Sequence, residues 1–163
     1  MRDKILAVIL SVALLLSLMP VTAVASEAWT GGQVQPAAGD GSPESPYEIG
    51  TGAELAWLAN EVNTGKNSLC AVLTDNIDLG NQEWTPIGNS SNQYRGTFDG
   101  AGFTITGLSI NQAEETHQGL FGYVFDATIT NLAVEGAVTG GGAATTGGVG
   151  GLVGSFGGHM ANL

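Results

Sequence analysis

Apolar and polar residues follow one another in short runs along most of this chain, and two of the runs occur twice. The run Thr-Ile-Thr-Gly-Leu-Ser-Ile at residues 104–110 returns 24 positions later as Thr-Ile-Thr-Asn-Leu-Ala-Val at 128–134. The run Gly-Leu-Phe-Gly at 119–122 returns 32 positions later as Gly-Leu-Val-Gly at 151–154. Periods of this length are typical of solenoids, in which each repeat buries its apolar face against its neighbours. The pattern therefore predicts stacked coils.

The first repeat also predicts a turn inside each copy. The copies share three apolar positions: Ile105, Leu108 and Ile110 in the first, and Ile129, Leu132 and Val134 in the second. In a regular strand the middle one would face away from the other two, because side chains alternate between the two faces. Gly107 and Asn131 stand just before that middle position, and Gly and Asn are the residue types that most readily adopt positive φ. A left-handed corner there would turn all three apolar side chains inward.

The segment at about residues 51–63 has helical periodicity instead. Thr51 and Glu54 have the spacing of a capping box, and Gly65 supplies a stop signal. Four apolar residues follow at i, i+3, i+4 and i+7, namely Leu55, Leu58, Ala59 and Val62. A helix of this length is marginal alone in water. We therefore expect its apolar stripe to pack over the first coil as a cap.

Together these patterns predict an all-β solenoid, a right-handed parallel β-helix with one N-terminal capping α-helix. From residue 71 onward, short apolar runs separated by Gly, Asn, Asp and Ser supply the strands and turns. The alternative is an antiparallel β-sandwich. A sandwich would not require the same corner at the same place in successive units.

The chain divides into four predicted segments. Residues 1–25 read as a signal peptide, with a basic head, an apolar run and the small-residue pattern Ala23-Val24-Ala25. Residues 26–46, rich in Gly and Pro, are expected to be a lead-in with little packed structure. Residues 47–65 hold a capping strand and the helix, and residues 66–163 form the coils. The chain closes on Asn162-Leu163, which echoes Asn131-Leu132, so we expect coils truncated at the C-terminus and downstream domains in the same polypeptide.

Charge and cysteine content narrow the classes of partner. The 163 residues carry a net charge of −11, and Lys66 and Arg95 are the basic residues that remain beyond the predicted signal peptide. Such a chain repels phosphate backbones and anionic lipid surfaces, so we expect no nucleic-acid partner and no membrane insertion after signal removal. Cys70 is the sole cysteine and excludes an intrachain disulfide. Because apolar residues flank it, a small buried hydrophobe is favoured over a nucleophile.

The order of several short motifs resembles a known family. Asp40-Gly41-Ser42 and Pro46-Tyr47-Glu48-Ile49 precede the helix around Glu54-Leu55-Ala56. Then come Leu73-Thr74-Asp75-Asn76-Ile77-Asp78-Leu79, Trp84-Thr85-Pro86-Ile87-Gly88, Gly96-Thr97-Phe98-Asp99-Gly100 and the Gly-Leu-x-Gly repeats. This order, over about residues 39–158, is similar to the N-terminal region of bacterial cell-surface proteins with GLUG motifs. The resemblance implies a large, modular, exported protein with β-helix-like repeats that acts in adhesion or surface display.

The candidate chemistry is sparse. A calcium-assisted lyase would need clustered carboxylates with a basic residue, and a hydrolase would need two converging acids. Asp75 and Asp78 lie three apart and face opposite ways on a regular strand. Asp99-Gly100 reads as a turn, and Glu114-Glu115 as a solvated loop. We therefore predict no catalytic residue and no enzyme activity.

Two further kinds of ligand, metal ions and sugars, have candidate residues in the sequence. His117 and His159 each lack a neighbouring histidine, so no metal site or cofactor is predicted. A calcium ion at Asp75, Asp78 or Asp99 stays open, against the alternative that these side chains bond to backbone N–H groups in turns. Four aromatic residues are candidates for a sugar-stacking platform: Trp29, Trp84, Tyr94 and Tyr123. The alternative is that Trp84, Phe98, Phe103 and Phe121 fill the coil interior.

These observations predict a non-catalytic, acidic module of a bacterial protein, secreted to the extracellular space or the cell surface. Adhesion to a host or environmental glycan, or to a surface protein, is the expected role. A carbohydrate-binding module is the first alternative. A polysaccharide lyase or hydrolase of the β-helix type is the second.

Overall fold

The structure, a computed structural model, describes residues 26–112, 115–139 and 151–157. Within these residues it contains one helix and nine short strands, so the fold is mostly β as predicted. The elements in chain order are β1 (Tyr47–Ile49), α1 (Gly52–Asn63), β2 (Ala71–Leu73), β3 (Ile77–Asp78), β4 (Thr97–Asp99), β5 (Thr104–Asn111), β6 (Phe121–Phe125), β7 (Thr128–Thr130), β8 (Ala133–Thr139) and β9 (Val153–Gly157). The predicted signal peptide at 1–25 and the pair Asn162-Leu163 lie outside the described residues.

Helix α1 begins and ends where the sequence predicts. Both halves of the capping box are present, because the Thr51 hydroxyl accepts from the Glu54 N–H and the Glu54 carboxylate accepts from the Thr51 N–H. At the other end, Gly65 has a φ of 115° and its N–H donates to the Val62 carbonyl. The Lys66 N–H donates to the Glu61 carbonyl, which completes a Schellman motif. The predicted apolar stripe is buried in the same core as the strands.

The strands form three parallel sheets. The first has the order β1-β2-β4-β7, the second β3-β5-β8, and the third pairs β6 with β9. Isolated parallel bridges join Ile87 to Phe121 and Tyr94 to Val124, and thereby extend the third sheet. Every strand pair among the described residues is parallel, which is not the pairing of an antiparallel β-sandwich.

The chain runs through the three sheets repeatedly and always in the same order. One such run, from the first sheet through the second to the third, is called a pass. After β1 and α1, the first pass runs through β2 and β3 to Ile87 and Tyr94. The second runs through β4, β5 and β6, and the third through β7, β8 and β9. Each pass therefore lies on the one before it, and a parallel neighbour is reached without an antiparallel hairpin.

The 32-residue repeat is the one that stacks. Phe121 of the first Gly-Leu-x-Gly run pairs with Val153 of the second. The Leu120 N–H donates to the Gly151 carbonyl at 3.1 Å, and the Phe121 N–H to the Leu152 carbonyl at 2.9 Å. Pro86-Ile87-Gly88 occupies the equivalent place one pass earlier, because Ile87 pairs with Phe121. This third member has no Gly-Leu signature, which is why the sequence pattern did not include it.

The 24-residue repeat, by contrast, does not stack, and its reading as one equivalent corner in each coil is wrong. Ile105 pairs with Val134, whereas Ile129 pairs with Phe98 in a different sheet. Both predicted positive φ values are confirmed, 67° at Gly107 and 52° at Asn131. They serve different purposes. Gly107 lies in a β-bulge inside β5, where the register shifts, while Asn131 turns the chain from the first sheet into the second.

The predicted inward positions are buried to different degrees. Ile105, Leu108 and Ile110 are at most 1% exposed, and Ile129 is fully buried. Leu132 and Val134 are only partly buried against the core. Leu132 lies at the corner between β7 and β8, and Val134 on β8, whereas Leu108 and Ile110 lie on β5 between two neighbouring strands. An outermost position alone does not set the burial, because Ile129 is fully buried on β7, which is also the outermost described strand of its sheet.

The lead-in is more ordered than predicted. Residues 26–46 contain no helix or strand, yet the Trp29 N–H donates to the Asp78 carbonyl at 2.8 Å. The Cys70 N–H donates to the Gly41 carbonyl, and the Glu48 N–H to the Ala38 carbonyl. Trp29 also packs edge-on against the buried Trp84. The expectation of little packed structure holds for most of the segment, which is exposed, but not for Trp29, Ala38 and Gly41, because Gly and Pro content predicts irregular backbone and says little about packing.

The last glycine of each Gly-Leu-x-Gly run permits close backbone approach. A Cβ at Gly122 would lie 2.5 Å from the Gly88 carbonyl oxygen and 2.6 Å from that of His117. A Cβ at Gly154 would lie 2.6 Å from the Gln118 nitrogen. Both contacts are to backbone and both are shorter than real Cβ contacts allow. The last glycine of the motif therefore marks a close backbone contact between one pass and the pass or loop that precedes it.

We expect Gly154→Ala to destabilise the protein by about 1–3 kcal/mol, the usual cost of overpacking. Gly151→Ala is the matched control in the same motif, because a Cβ there would meet no atom of the described residues within 4 Å. Urea unfolding of the two variants measures the difference. Equal stability of the two variants would contradict the assigned stacking.

Candidate functional site

The three aspartates considered as calcium ligands each bond to backbone in their own turn. Asp75 Oδ1 accepts from the Asn76 N–H at 2.7 Å, and Asp78 Oδ1 from the Gly80 N–H at 2.8 Å. Asp99 Oδ1 accepts from the Ala101 N–H at 2.8 Å. Among the described residues, no group of three or more His, Cys, Asp or Glu side chains is placed to hold a metal ion. The geometry of these aspartates is that of turn-forming side chains.

Asp99 also joins two successive passes. Its Oδ1 accepts a hydrogen bond from Asn131 Nδ2 at 3.0 Å, across the corner between β7 and β8. The hydrogen bond from Asn131 and that from the Ala101 N–H lower the pKa of Asp99, because both favour the ionised carboxylate. This carboxylate therefore contributes to stability in its charged form.

We expect Asp99→Asn to destabilise the protein by about 1 kcal/mol at pH 7, since charge-assisted hydrogen bonds become ordinary ones. The folded-state pKa of Asp99 is lowered, so its contribution is complete above the unfolded-state pKa, about 3.9. The contribution is lost as the pH falls through the folded-state pKa. The stability gap between wild type and variant should shrink on acidification, as measured by urea unfolding at pH 7 and below pH 3. A gap that grows on acidification would contradict the assignment.

The basic residues and the cysteine are engaged in the scaffold. Lys66 pairs with Glu61 at the end of α1, and the Arg95 guanidinium lies 4.4 Å from the centroid of the Phe125 ring. Cys70 is buried and free, consistent with its reading as a small hydrophobe. Glu115 is exposed, while Glu114 and His159 fall outside the described residues.

The four aromatic candidates separate by burial. Trp84 and Tyr94 are at most 1% exposed, so neither is an accessible platform. Their polar atoms are satisfied inside, Trp84 Nε1 by the Leu120 carbonyl and Tyr94 Oη by the Leu69 carbonyl. Burial raises the pKa of Tyr94 well above its ordinary value. Trp29 and Tyr123 are partly exposed, but the Tyr123 ring is stacked on His117 at 5.0 Å.

Trp29 lines a groove of about 320 Å³ between the lead-in and helix α1. Trp29 is held by its backbone and by its ring. Its backbone N–H donates to the Asp78 carbonyl at 2.8 Å, its indole Nε1 donates to the Gly32 carbonyl at 2.7 Å, and the ring lies edge-on to Trp84 at 5.6 Å. Gly52 at the start of α1 lies against Trp29, since a Cβ there would be 2.5 Å from the Trp29 Cβ. The aromatic wall of the groove is therefore fixed in place.

The rest of the groove combines small residues (Gly31, Ala56 and Ala59) with neutral polar side chains. Gln33, Asn60 and Thr85 line it, are exposed, and make no side-chain hydrogen bond to any other described residue. Asn63 also lines it but is fully engaged, because its Oδ1 accepts from the Gly88 N–H and its Nδ2 donates to the Pro86 carbonyl. Asn63 thus ties α1 to the first pass, and the other three polar groups remain available to a ligand.

A second groove of about 340 Å³ lies between residues 85–90 and the loop at 115–118. Sequence reasoning missed Gln118 there, because an isolated glutamine carries no signal in a single sequence. Its Nε2 donates to the Thr116 carbonyl at 2.8 Å, and its buried Oε1 has no hydrogen-bond partner among the described residues. That oxygen is shielded from solvent and so cannot reach a ligand in the open groove. The groove at Trp29 is therefore the better candidate site.

Comparison with known proteins gives two partial matches. The chain is 35% identical over 104 residues to a protein of Evansella cellulosilytica provisionally described as a Gly-rich membrane protein, a match that covers 61% of this chain and 12% of the relative. It is 36% identical over 117 residues to halomucin of Haloquadratum walsbyi, covering 63% of this chain and 1% of the relative. The chain therefore spans a small share of the length of both curated relatives. No family model and no solved structure matches it.

Helix α1, the single helix in the part of the chain that the structure describes, does not combine the length and the hydropathy needed to cross a bilayer.

Proposed function

We propose that this chain is a right-handed parallel β-helix, capped by α1, that serves as a non-catalytic module of an exported bacterial surface protein. The observation that carries the proposal is the stacking of three passes through the same three parallel sheets, with the Gly-Leu-x-Gly runs of the second and third passes paired in register. Helix α1 supports the role of a cap, because its buried stripe joins the core and its neighbour β1 is the first strand of its sheet.

Display or adhesion is the role that suits such a scaffold. Solenoids present extended, regular faces, and their coils are added one after another. The relatives support this proposal, because the matched segment is a small part of longer proteins, one of them described as a membrane protein and the other as a halomucin. The motif order that resembles GLUG-motif surface proteins points the same way.

Export can be tested by expressing the full chain with a C-terminal tag in a bacterial host. We expect a product beyond the cytoplasmic membrane whose N-terminus is Ser26, the residue after the predicted cleavage site. An uncleaved product confined to the cytosol would overturn the proposal.

The non-catalytic assignment has its own test. The purified chain is incubated with acidic polysaccharides, and new unsaturated or reducing ends are measured. We expect none above the level of a heat-unfolded sample. Steady release of such ends would replace the proposed role with that of a polysaccharide-degrading enzyme.

A further inference from the structure

We propose that the groove at Trp29, Gln33, Asn60 and Thr85 is a binding site for a neutral oligosaccharide. This inference rests on the proposed surface role only for where the protein would meet a sugar. The chemical argument comes from the groove itself, which has the groups of a sugar-binding subsite. It combines a partly exposed indole with amide and hydroxyl groups that have no partner among the described residues.

The volume and rigidity of the groove suit a small ligand. Its 320 Å³ lies at the lower end of the range of ligand pockets, about 300–1,000 Å³. Trp29 is held by the hydrogen bonds to the Asp78 and Gly32 carbonyls, and the backbone of Asn60 is part of helix α1. Because the Trp29 ring is already held in place, it loses little conformational entropy on binding, and its contacts with a ligand convert efficiently into affinity.

The groove favours an uncharged ligand. None of the described residues that line it carries a charge, and the whole chain has a net charge of −11. A polyanionic saccharide would be repelled by the surrounding field and would find no basic residue in the groove. Amides donate and accept hydrogen bonds at once, which matches the hydroxyl groups of a neutral sugar, and an indole offers an apolar surface to sugar C–H groups.

The lead-in leaves space at the open side of the groove. A Cβ at Gly31 or Gly32 would meet no atom of the described residues within 4 Å. A third groove, of about 390 Å³, also has Trp29 in its lining and contains Val34, a hydrophobic residue that is 57% exposed. Trp29 therefore borders two concavities, an arrangement that would let a chain of more than one sugar unit contact the ring.

The proposal is tested by titrating the full chain with neutral hexasaccharides, namely cellohexaose, xylohexaose, mannohexaose and chitohexaose, and with oligogalacturonate as the acidic comparison. We expect at least one neutral sugar to bind with a Kd below about 1 mM and to shift the NMR signal of the Trp29 indole N–H. Binding of the acidic sugar alone, or of no sugar, would overturn the proposal. Export of the chain, tested separately, would be unaffected by that failure.

Variants then locate the binding. Gln33→Ala and Asn60→Ala should each weaken binding about three- to tenfold, the effect of losing one hydrogen bond, while leaving the thermal midpoint unchanged. Gln35→Ala and Asn111→Ala are the matched controls, because both side chains are exposed, lie outside the groove and make no hydrogen bond to a described residue. Equal weakening by the controls, or no weakening by either groove variant, would contradict this site.

Discussion

Leu108→Asp is expected to abolish cooperative folding at 25 °C. Leu108 is 1% exposed and lies on β5, which has a parallel neighbour on each side. A carboxylate at this position would be buried without a partner, which costs several kcal/mol when uncompensated. That is comparable with the whole stability of an ordinary domain, about 5–15 kcal/mol.

The control for this variant is Leu108→Met, which conserves volume and should cost less than about 1.5 kcal/mol. Leu132→Asp should be milder than Leu108→Asp, because Leu132 is only partly buried beside the outermost strands. Circular dichroism and urea unfolding measure all three. A Leu108→Asp variant that folds as stably as Leu132→Asp would show that Leu108 does not face the core.

Phe121→Ala is expected to cost about 3–5 kcal/mol, the range for removing a buried aromatic side chain. Phe121 is fully buried and pairs with Ile87 on one side and Val153 on the other. Its ring lies 5.3 Å from that of Tyr94 and 5.2 Å from that of Phe98. The substitution would therefore leave a cavity where the passes meet.

Phe125→Ala is the matched control on the same strand. Phe125 is partly exposed, and the Arg95 guanidinium lies over its ring. Removing the Phe125 ring should therefore lower the free energy of unfolding by about 1 kcal/mol. Urea unfolding at one pH compares the two directly. Equal destabilisation would contradict the inward assignment of Phe121.

The local part of the fold could be predicted from sequence. Helix α1 was predicted correctly because its capping box, apolar stripe and stop glycine all lie within fifteen consecutive residues. The positive φ values at Gly107 and Asn131 were predicted for the same reason, since a broken alternation shows itself within a few positions.

The pairing register between strands could be predicted only where the repeated residues of successive passes contact one another. The Gly-Leu-x-Gly runs stack because their last glycines meet neighbouring backbone, so the sequence period equals the structural one. The Thr-Ile-Thr runs share a local conformation but different tertiary surroundings, a bulge in one and a corner in the other. Similar local sequence therefore predicted similar φ values but the wrong neighbours.

The candidate site was the least predictable part. Trp29 was among the aromatic candidates, yet Gln33, Asn60 and Thr85 carry no pattern that would join them to it. They meet because the lead-in packs on α1 and because Asn63 ties that helix to Pro86 and Gly88. Such a site arises from tertiary packing between distant segments, which periodicity in a single sequence does not reveal.

The stacking of successive passes is the central claim, and hydrogen-bond scalar couplings measured by NMR test it most directly. We predict couplings from the Ile87 N–H to the Leu120 carbonyl, and from the Phe121 N–H to the Leu152 carbonyl. Both bonds join residues more than thirty positions apart in parallel register. Couplings that instead join sequence-adjacent strands in antiparallel register, such as β5 with β6, would contradict the stacked-pass fold.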